Sequence, residues 1–411
     1  MGENTDRPAA SEAIVKPRYT ATYFRDIVVT PFSELLDGPK GLSQHRGGPV
    51  WPEWEQQTVV RHCRNRRPID KKPEELPADT RLDEVREPLA WCGPIVAHFG
   101  HQVADFSTRI PVYQSFLDRD FYYCFAVHPR SKVREIKEAP QFFQDMLEWY
   151  DVPRSRVRII HSPVIARELV CISQQEQLAQ VGPWEVYLDL LDKNFYIKRI
   201  KQPRKCTYYI SRAGMQARFA GEGYIEYALG QSGAKVLRPE TISLQEQLRI
   251  YAGASVLLFA EGSALHGMQL LGRNMNQVHV LNRRPGVNLA SRLLRPRCTN
   301  LRYYDVASLV PGLWMSGQPA TPHGLSILDK EAFFAATNSA GIALRDWSDE
   351  AFRCCVELDV KSWYRRIASS PGAKVPGSLS QIDRKLADFG LKGAVTCHFP
   401  RREEEQQEFF R

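Results

Sequence analysis

Two histidines and an aspartate, His98, His101 and Asp105, are spaced i, i+3 and i+7. On a helix these positions share one face, and His101 and Asp105 are near enough to hydrogen-bond. Such a pair offers a general base together with the group that orients it, the apparatus for drawing a proton from a hydroxyl. The same three side chains are acceptable metal ligands, although their spacing matches no standard zinc motif. A helical first turn with a buried ion pair is the third reading. The residue types do not say whether His101 or Asp105 takes the proton.

A second set of chemistry-bearing residues stands at the ends of expected strands. Cys206-Thr207-Tyr208-Tyr209-Ile210 is β-branched and aromatic and runs into Ser211-Arg212. A guanidinium at a strand's carboxyl end suits bidentate pairing with phosphate, and Arg218 is a second choice in the following loop. Ser255 to Ala260 is a fully apolar strand that runs into Glu261, then Gly262, Ser263 and Ala264. Those small residues allow close approach of a ligand to the backbone. A helix expected over 264–271 would turn its first N–H groups to the same place, with His266 on its first turn. Ser263 can equally be a plain helix cap. Ser243 and Glu246 fit a capping box, and Glu240 and Glu261 are acidic residues near strand ends, able to bond a ribose or sugar hydroxyl.

The elements that position these residues alternate. Helical spacing over 221–231, a short strand over 234–237, a helix over 243–252 and a closing strand over 277–281 complete the second set. Alternation of this kind predicts a parallel sheet covered on both faces, with ligands at the carboxyl ends of its strands. Residues 90–195 alternate too: strands over 121–127 and 157–160, helices over 140–150 and 183–191. Residues 37–90, rich in Pro, Gly and charge, read as irregular. Late helices are expected over 330–337 and 349–366, then a linker over 369–380 and a charged tail.

Ile210-Ser211-Arg212, Ser243-Leu244-Gln245-Glu246-Gln247 and Gly262-Ser263-Ala264-Leu265, preceded by His98-Phe99-Gly100-His101-Gln102-Val103-Ala104-Asp105, together resemble glycosyltransferase family 61 over roughly residues 90–285. Two positions differ from that pattern: His98 stands where Asn is common, and Glu261 where His is common. The resemblance implies a GT-B-like α/β architecture, two Rossmann-like domains facing a cleft. On that reading residues 1–90 are an irregular N-terminal segment and 91–200 the acceptor domain. Residues 201–325 form the nucleotide-sugar domain and 326–411 a helical extension and tail, with the helix over 349–366 returning to the first domain. It also implies Asp105 as the base with His101 as its partner, and places Glu246 near the donor.

Bulk properties narrow the classes. The chain has 411 residues, 43% hydrophobic and 25% charged, an ordinary globular composition. No apolar run is long enough to span a bilayer, and the polar start shows no secretory h-region, so a cytoplasmic protein is expected. The nine cysteines form no CxxC pair, which fits reduced thiols. A net charge of +8 has local clusters at 61–67, 198–205 and 283–297. Without interleaved aromatics these do not suggest nucleic acid; they fit a solvated face, or peripheral attraction to a membrane surface or lipid-linked acceptor.

The expectation is an inverting glycosyltransferase that needs no metal and no cofactor beyond a nucleotide-diphosphate sugar. Fixed cations and N–H groups are then expected to neutralise the leaving diphosphate. By resemblance to bacterial members, the acceptor is a growing surface polysaccharide or glycolipid. Two rivals are a metal-assisted hydrolase built on His98, His101 and Asp105, and a non-catalytic nucleotide- or glycan-binding scaffold.

Overall fold

The computed structural model describes residues 19–37, 43–116, 120–178, 181–194 and 206–396. In the first half, a long strand β1 (Ala21–Asp37) precedes β2 (Ser43–Pro49), and a small hairpin follows from β3 (Cys63–Arg64) and β4 (Arg67–Pro68). After β5 (Asp70–Lys71) and β6 (Asp83–Val85) come β7 (Leu89–Pro94), α1 (Phe99–Phe106), α2 (Ile110–Phe116), β8 (Tyr122–Ala126) and α3 (Gln141–Trp149). The half closes with β9 (Val157–Ile160), β10 (Val164–Ile172) and α4 (Glu185–Asn194).

Apart from the β3–β4 hairpin, these strands form one sheet in the order β5-β2-β1-β10-β7-β8-β9, with β6 also on β10. The run β10-β7-β8-β9 is parallel, as the alternation predicts. β1 lies antiparallel to both β10 and β2. The first half is therefore a mixed sheet, and the segment read as irregular supplies β2 to β6. The β1 register is interrupted: Asp26 has a left-handed φ of 52°, and the pairing with β2 shifts between Thr30 and Glu34, next to Pro31. A bulge of this kind hides a strand from a period-two pattern.

The second half contains β11 (Thr207–Ile210), α5 (Glu222–Gln231), β12 (Lys235–Leu237), α6 (Leu244–Gly253) and β13 (Val256–Ala260). After a 3-10 helix over Ser263–Leu270 come β14 (Met275–Asn282), α7 (Ser291–Leu294) and β15 (Cys298–Asp305). The five strands are parallel throughout, in the order β12-β11-β13-β14-β15. Along β13 the side chains alternate between two cores. Leu257 and Phe259 face a core shared with α6 and the 3-10 helix, and Leu258 and Ala260 face one shared with α5 and the later helices. Both faces are covered, which is why the strand is apolar at every position.

A hairpin of β16 (Ala307–Leu313) and β17 (Pro319–Leu328) leads to α8 (Lys330–Ser339), α9 (Asp349–Ala368) and α10 (Ser378–Asp388). α9 does not return to the first half. It packs on α5, where Phe352 and Val356 stand so close to Gly221 that a Cβ there would meet them within 3.0 Å. The stretch read as a linker holds a 3-10 turn over Pro371–Lys374 and the start of α10.

The two halves meet through packed atoms. One continuous core takes Phe125, Phe143, Met146 and Leu188 from the first and Leu248, Leu257, Met268 and Val280 from the second. Trp149 Nε1 donates to Leu270 O at 3.1 Å, Asp145 accepts the Leu244 N–H at the start of α6, and Arg297 pairs with Glu176, both without exposed side-chain surface. The junction expected at 200/201 lies outside the described residues, as does the basic cluster at 198–205.

Candidate functional site

The second sheet, numbered from its own first strand, has the order 2-1-3-4-5, so the strand order reverses between β11 and β13. Ligand crevices in open α/β sheets form outside the carboxyl ends of strands at such a point. Arg212 follows β11 and Gly262 follows β13, and they touch there. A Cβ on Gly262 would stand 1.9 Å from Arg212 Nη1. The glycine thus makes room for the guanidinium that lies across it. Arg212 Nε donates to Ala217 O at 3.0 Å, and no carboxylate among the described residues forms an ion pair with Arg212. Burial lowers its pKa, opposed by Glu222, Glu261 and Glu240 and reinforced by Arg284.

Arg283, at the end of β14, was not singled out from sequence. It is 3% exposed, donates from Nε to Glu261 O at 2.9 Å, and has a buried Nη1 without a hydrogen-bond partner. Burial, then the charge of Arg212, lowers it to about 10. Two guanidinia therefore flank the Glu261–Gly262 peptide unit. Glu261 is not free for a sugar hydroxyl. Fully buried, it accepts the N–H groups of Arg283 and Arg284 and the Arg284 guanidinium. Glu240 lies against the Arg212 loop, its Oε1 standing 2.4 Å from where a Gly214 Cβ would be.

Arg218 leaves the expected set. Its guanidinium bonds Asp359 on α9 at 2.7 Å and the Met215 carbonyl at 2.9 Å, so it fastens the C-terminal helices. Glu246 leaves it as well. Ser243 accepts the Glu246 N–H at 3.2 Å, so the cap is present, and the Glu246 carboxylate turns outward towards Arg249. Gln247, one residue on, is buried and bonds Tyr251.

The histidine motif starts α1 as its spacing predicts. His98 is the N-cap, its Nδ1 accepting the His101 N–H at 3.3 Å. The His98 and His101 rings lie 4.4 Å apart. Partial desolvation, then His101 and His266, push His98 down to about 4. The helix start packs on the 3-10 helix of the second half: a Cβ on Gly100 would sit 3.0 Å from His266 Cδ2, 3.1 Å from Ser263 Cβ and 3.3 Å from His98 Cε1. The two sequence motifs thus meet at the seam, with Ala264 beside them, half-buried.

Asp105 is 0% exposed. Arg64, at the tip of the β3–β4 hairpin, donates from Nε to Oδ1 at 3.0 Å and from Nη2 to Oδ2. The same Nη2 stands 2.8 Å from His101 Nδ1, which is 3.2 Å from Asp105 Oδ2. Burial would raise the Asp105 carboxyl, but hydrogen bonds from His101 and Arg64 and the Arg64 charge hold it below its ordinary value. Arg64 was read only as part of a basic cluster. Within that cluster Arg61 is also buried, on Asp70, while Arg66 and Arg67 are exposed. Among the described residues, no group of three or more His, Cys, Asp or Glu is placed to hold a metal ion.

A cavity of about 650 Å³ lies elsewhere, between Asp83–Val85, Arg134–Lys137 and Arg154–Val164. None of the residues above lines it, and the chemistry-bearing groups, not the size of the void, locate the site.

Residues 99–277 match the family model described as Glycosyltransferase 61. The matched segment begins at α1 and takes in Arg212, Gly262 and His266, and it supports a glycosyltransferase of family 61. No curated protein matches the chain. No helix among the described residues is long and apolar enough to cross a membrane.

Proposed function

We propose that this protein is a GT-B-like, inverting glycosyltransferase that moves a sugar from a nucleotide-diphosphate donor to a glycan or glycolipid acceptor, as in surface-polysaccharide synthesis. The observation that carries the reading is Arg212. Its guanidinium lies at the switch point of a parallel sheet and forms no ion pair with a carboxylate among the described residues, and the charge of a second buried guanidinium, Arg283, with an unpartnered nitrogen, acts on it. Two cations and the N–H groups of the turn after β13 are suited to a diphosphate and to the charge that grows on it as it leaves.

The site faces α1 of the first half, where the acceptor hydroxyl would lie. Asp105 does not suit the role of base, which it was expected to fill. It is out of contact with solvent, both its oxygens are taken by Arg64, and its proton affinity is reduced. Its role on this reading is to hold Arg64 and, through Arg64, the His101 ring. The domain limits at 90/91, 200/201 and 325/326, the acceptor class and a peripheral place on a membrane belong to the same proposal.

A thermal-shift screen against nucleoside diphosphates and nucleotide sugars tests it. A ligand that binds only the native state at a hundredfold excess over Kd stabilises by about 2.7 kcal/mol. No shift with any nucleoside diphosphate would count against the donor site.

A further inference from the structure

We propose that His266 Nε2 is the atom that takes the acceptor's hydroxyl proton, with Gln269 and Glu176 fixing the tautomer that makes this possible. The substrate named here rests on the glycosyl-transfer reading; the tautomer does not.

Three imidazoles surround Gly100, and their hydrogen bonds distinguish them. His98 Nδ1 accepts the His101 N–H, so a neutral His98 carries its proton on Nε2. His101 Nδ1 faces the Arg64 Nη2 at 2.8 Å. The same nitrogen lies 3.2 Å from Asp105 Oδ2, so His101 is engaged at Nδ1 by a guanidinium and a carboxylate together. His98, by contrast, presents no lone pair at its outer nitrogen.

His266 is the opposite case. Its Nδ1 stands 2.6 Å from Gln269 Oε1, and Gln269 Nε2 donates to Glu176 Oε2 at 2.7 Å. Glu176 is fully buried and pairs through its other oxygen with the equally buried Arg297, so its Oε2 is the acceptor of the amide N–H. It fixes which end of the Gln269 amide faces it, and the amide oxygen is left towards His266. His266 Nδ1 must then be the donor, and the lone pair of the neutral ring stands on Nε2. No described residue bonds that atom, and the ring lies half-buried at the seam between the two halves.

Protonation follows the same geometry. Burial lowers His266; the Gln269 hydrogen bond and the Asp105 charge raise it, and His101 and Arg64 lower it. His98 faces the ring from the α1 side, and the Glu176–Arg297 pair stands behind Gln269. The ring is neutral near neutral pH, as a base must be. In the transfer step the acceptor oxygen bonds to the anomeric carbon. The bond from that carbon to the diphosphate oxygen breaks, its electron pair leaving with the diphosphate. The hydroxyl proton moves to Nε2, and the imidazolium later releases it to solvent.

The test is NMR of the full chain labelled with 15N-histidine, reading two-bond couplings near neutral pH, with His266→Gln assigning the signal. His266 is expected with Nδ1 protonated and Nε2 bare; a proton on Nε2 overturns the proposal whatever the substrate. Glu176→Gln lets the Gln269 amide turn, and the His266 signal should move towards mixed tautomers. An unmoved signal would contradict the role of Glu176. Turnover of UDP-glucose, UDP-N-acetylglucosamine and UDP-xylose supplies the kinetic arm: His266→Gln should lower kcat by about 10²–10⁴ and keep UDP affinity. Lost UDP affinity with kcat retained would make His266 a donor contact and overturn the proposal. Failure of the wild type to bind UDP or another nucleoside diphosphate would count against the donor reading, and the tautomer would still decide the case of His266.

Discussion

Arg64 donates to both oxygens of Asp105, from Nε to Oδ1 at 3.0 Å and from Nη2 to Oδ2, across 41 positions of sequence. The carboxylate is fully buried and the guanidinium nearly so. Removing one partner of such a pair leaves a buried charge uncompensated, at a cost of about 3–5 kcal/mol. Asp105→Asn and Arg64→Ala should each lower stability by that order, and the double mutant should lose less than the sum. Urea unfolding of the four proteins measures the coupling, and additive losses would show that the pair is not coupled.

The same pair sets a pH dependence. Asp105 has a folded pKa below its unfolded value. Its contribution to stability is therefore complete above the ordinary carboxylate range and is lost as pH falls through the lowered folded value. The wild type should lose more stability than the Arg64→Ala/Asp105→Asn double mutant on acidification below about pH 4. Denaturation midpoints recorded from neutral to acid pH check this, and parallel curves would contradict it.

Arg218→Ala separates structure from binding. Arg218 ties α9 to the loop after β11 through Asp359, so its loss should cost roughly 1–3 kcal/mol of stability. Nucleoside-diphosphate affinity should hardly change. Weakened binding without loss of stability would return Arg218 to the donor site.

Activity should persist in EDTA, because Arg212, Arg283 and the turn after β13 stand where charge on a diphosphate would develop. Assays of donor turnover with and without chelator decide this. Loss restored by Mn²⁺ or Zn²⁺ would contradict it.

The legible parts of this molecule are those fixed by local sequence. β11 to β14 read out clearly because apolar runs such as Val256–Ala260 are buried on both faces and end at turn residues. The first turn of α1 read out because His98 caps its own helix three residues on. β1 did not, because its strand is defined by partners more than a hundred residues away, such as Val29 opposite Val164, and its own pattern is broken at Asp26. Arg64 and Arg283 were equally hidden. Each looks like one more charge in a basic cluster until the fold sets it on Asp105 or beside Arg212. The His266–Gln269 contact is a pair three apart, visible in principle. The Glu176 that orients it lies 93 positions from Gln269 and leaves no local trace.

The central claim is that the carboxyl ends of β11, β13 and β14 bind the diphosphate of a nucleotide sugar. Calorimetric titration of UDP, GDP and CDP into the wild type, Arg212→Ala and Arg212→Lys tests it most directly. One nucleoside diphosphate should bind the wild type, and Arg212→Ala should raise its Kd about 10- to 150-fold, the loss of one charge-assisted hydrogen bond. Arg212→Lys should recover part of that, keeping the charge without the planar fork. Equal affinity in all three proteins, or no binding to any, would contradict the account.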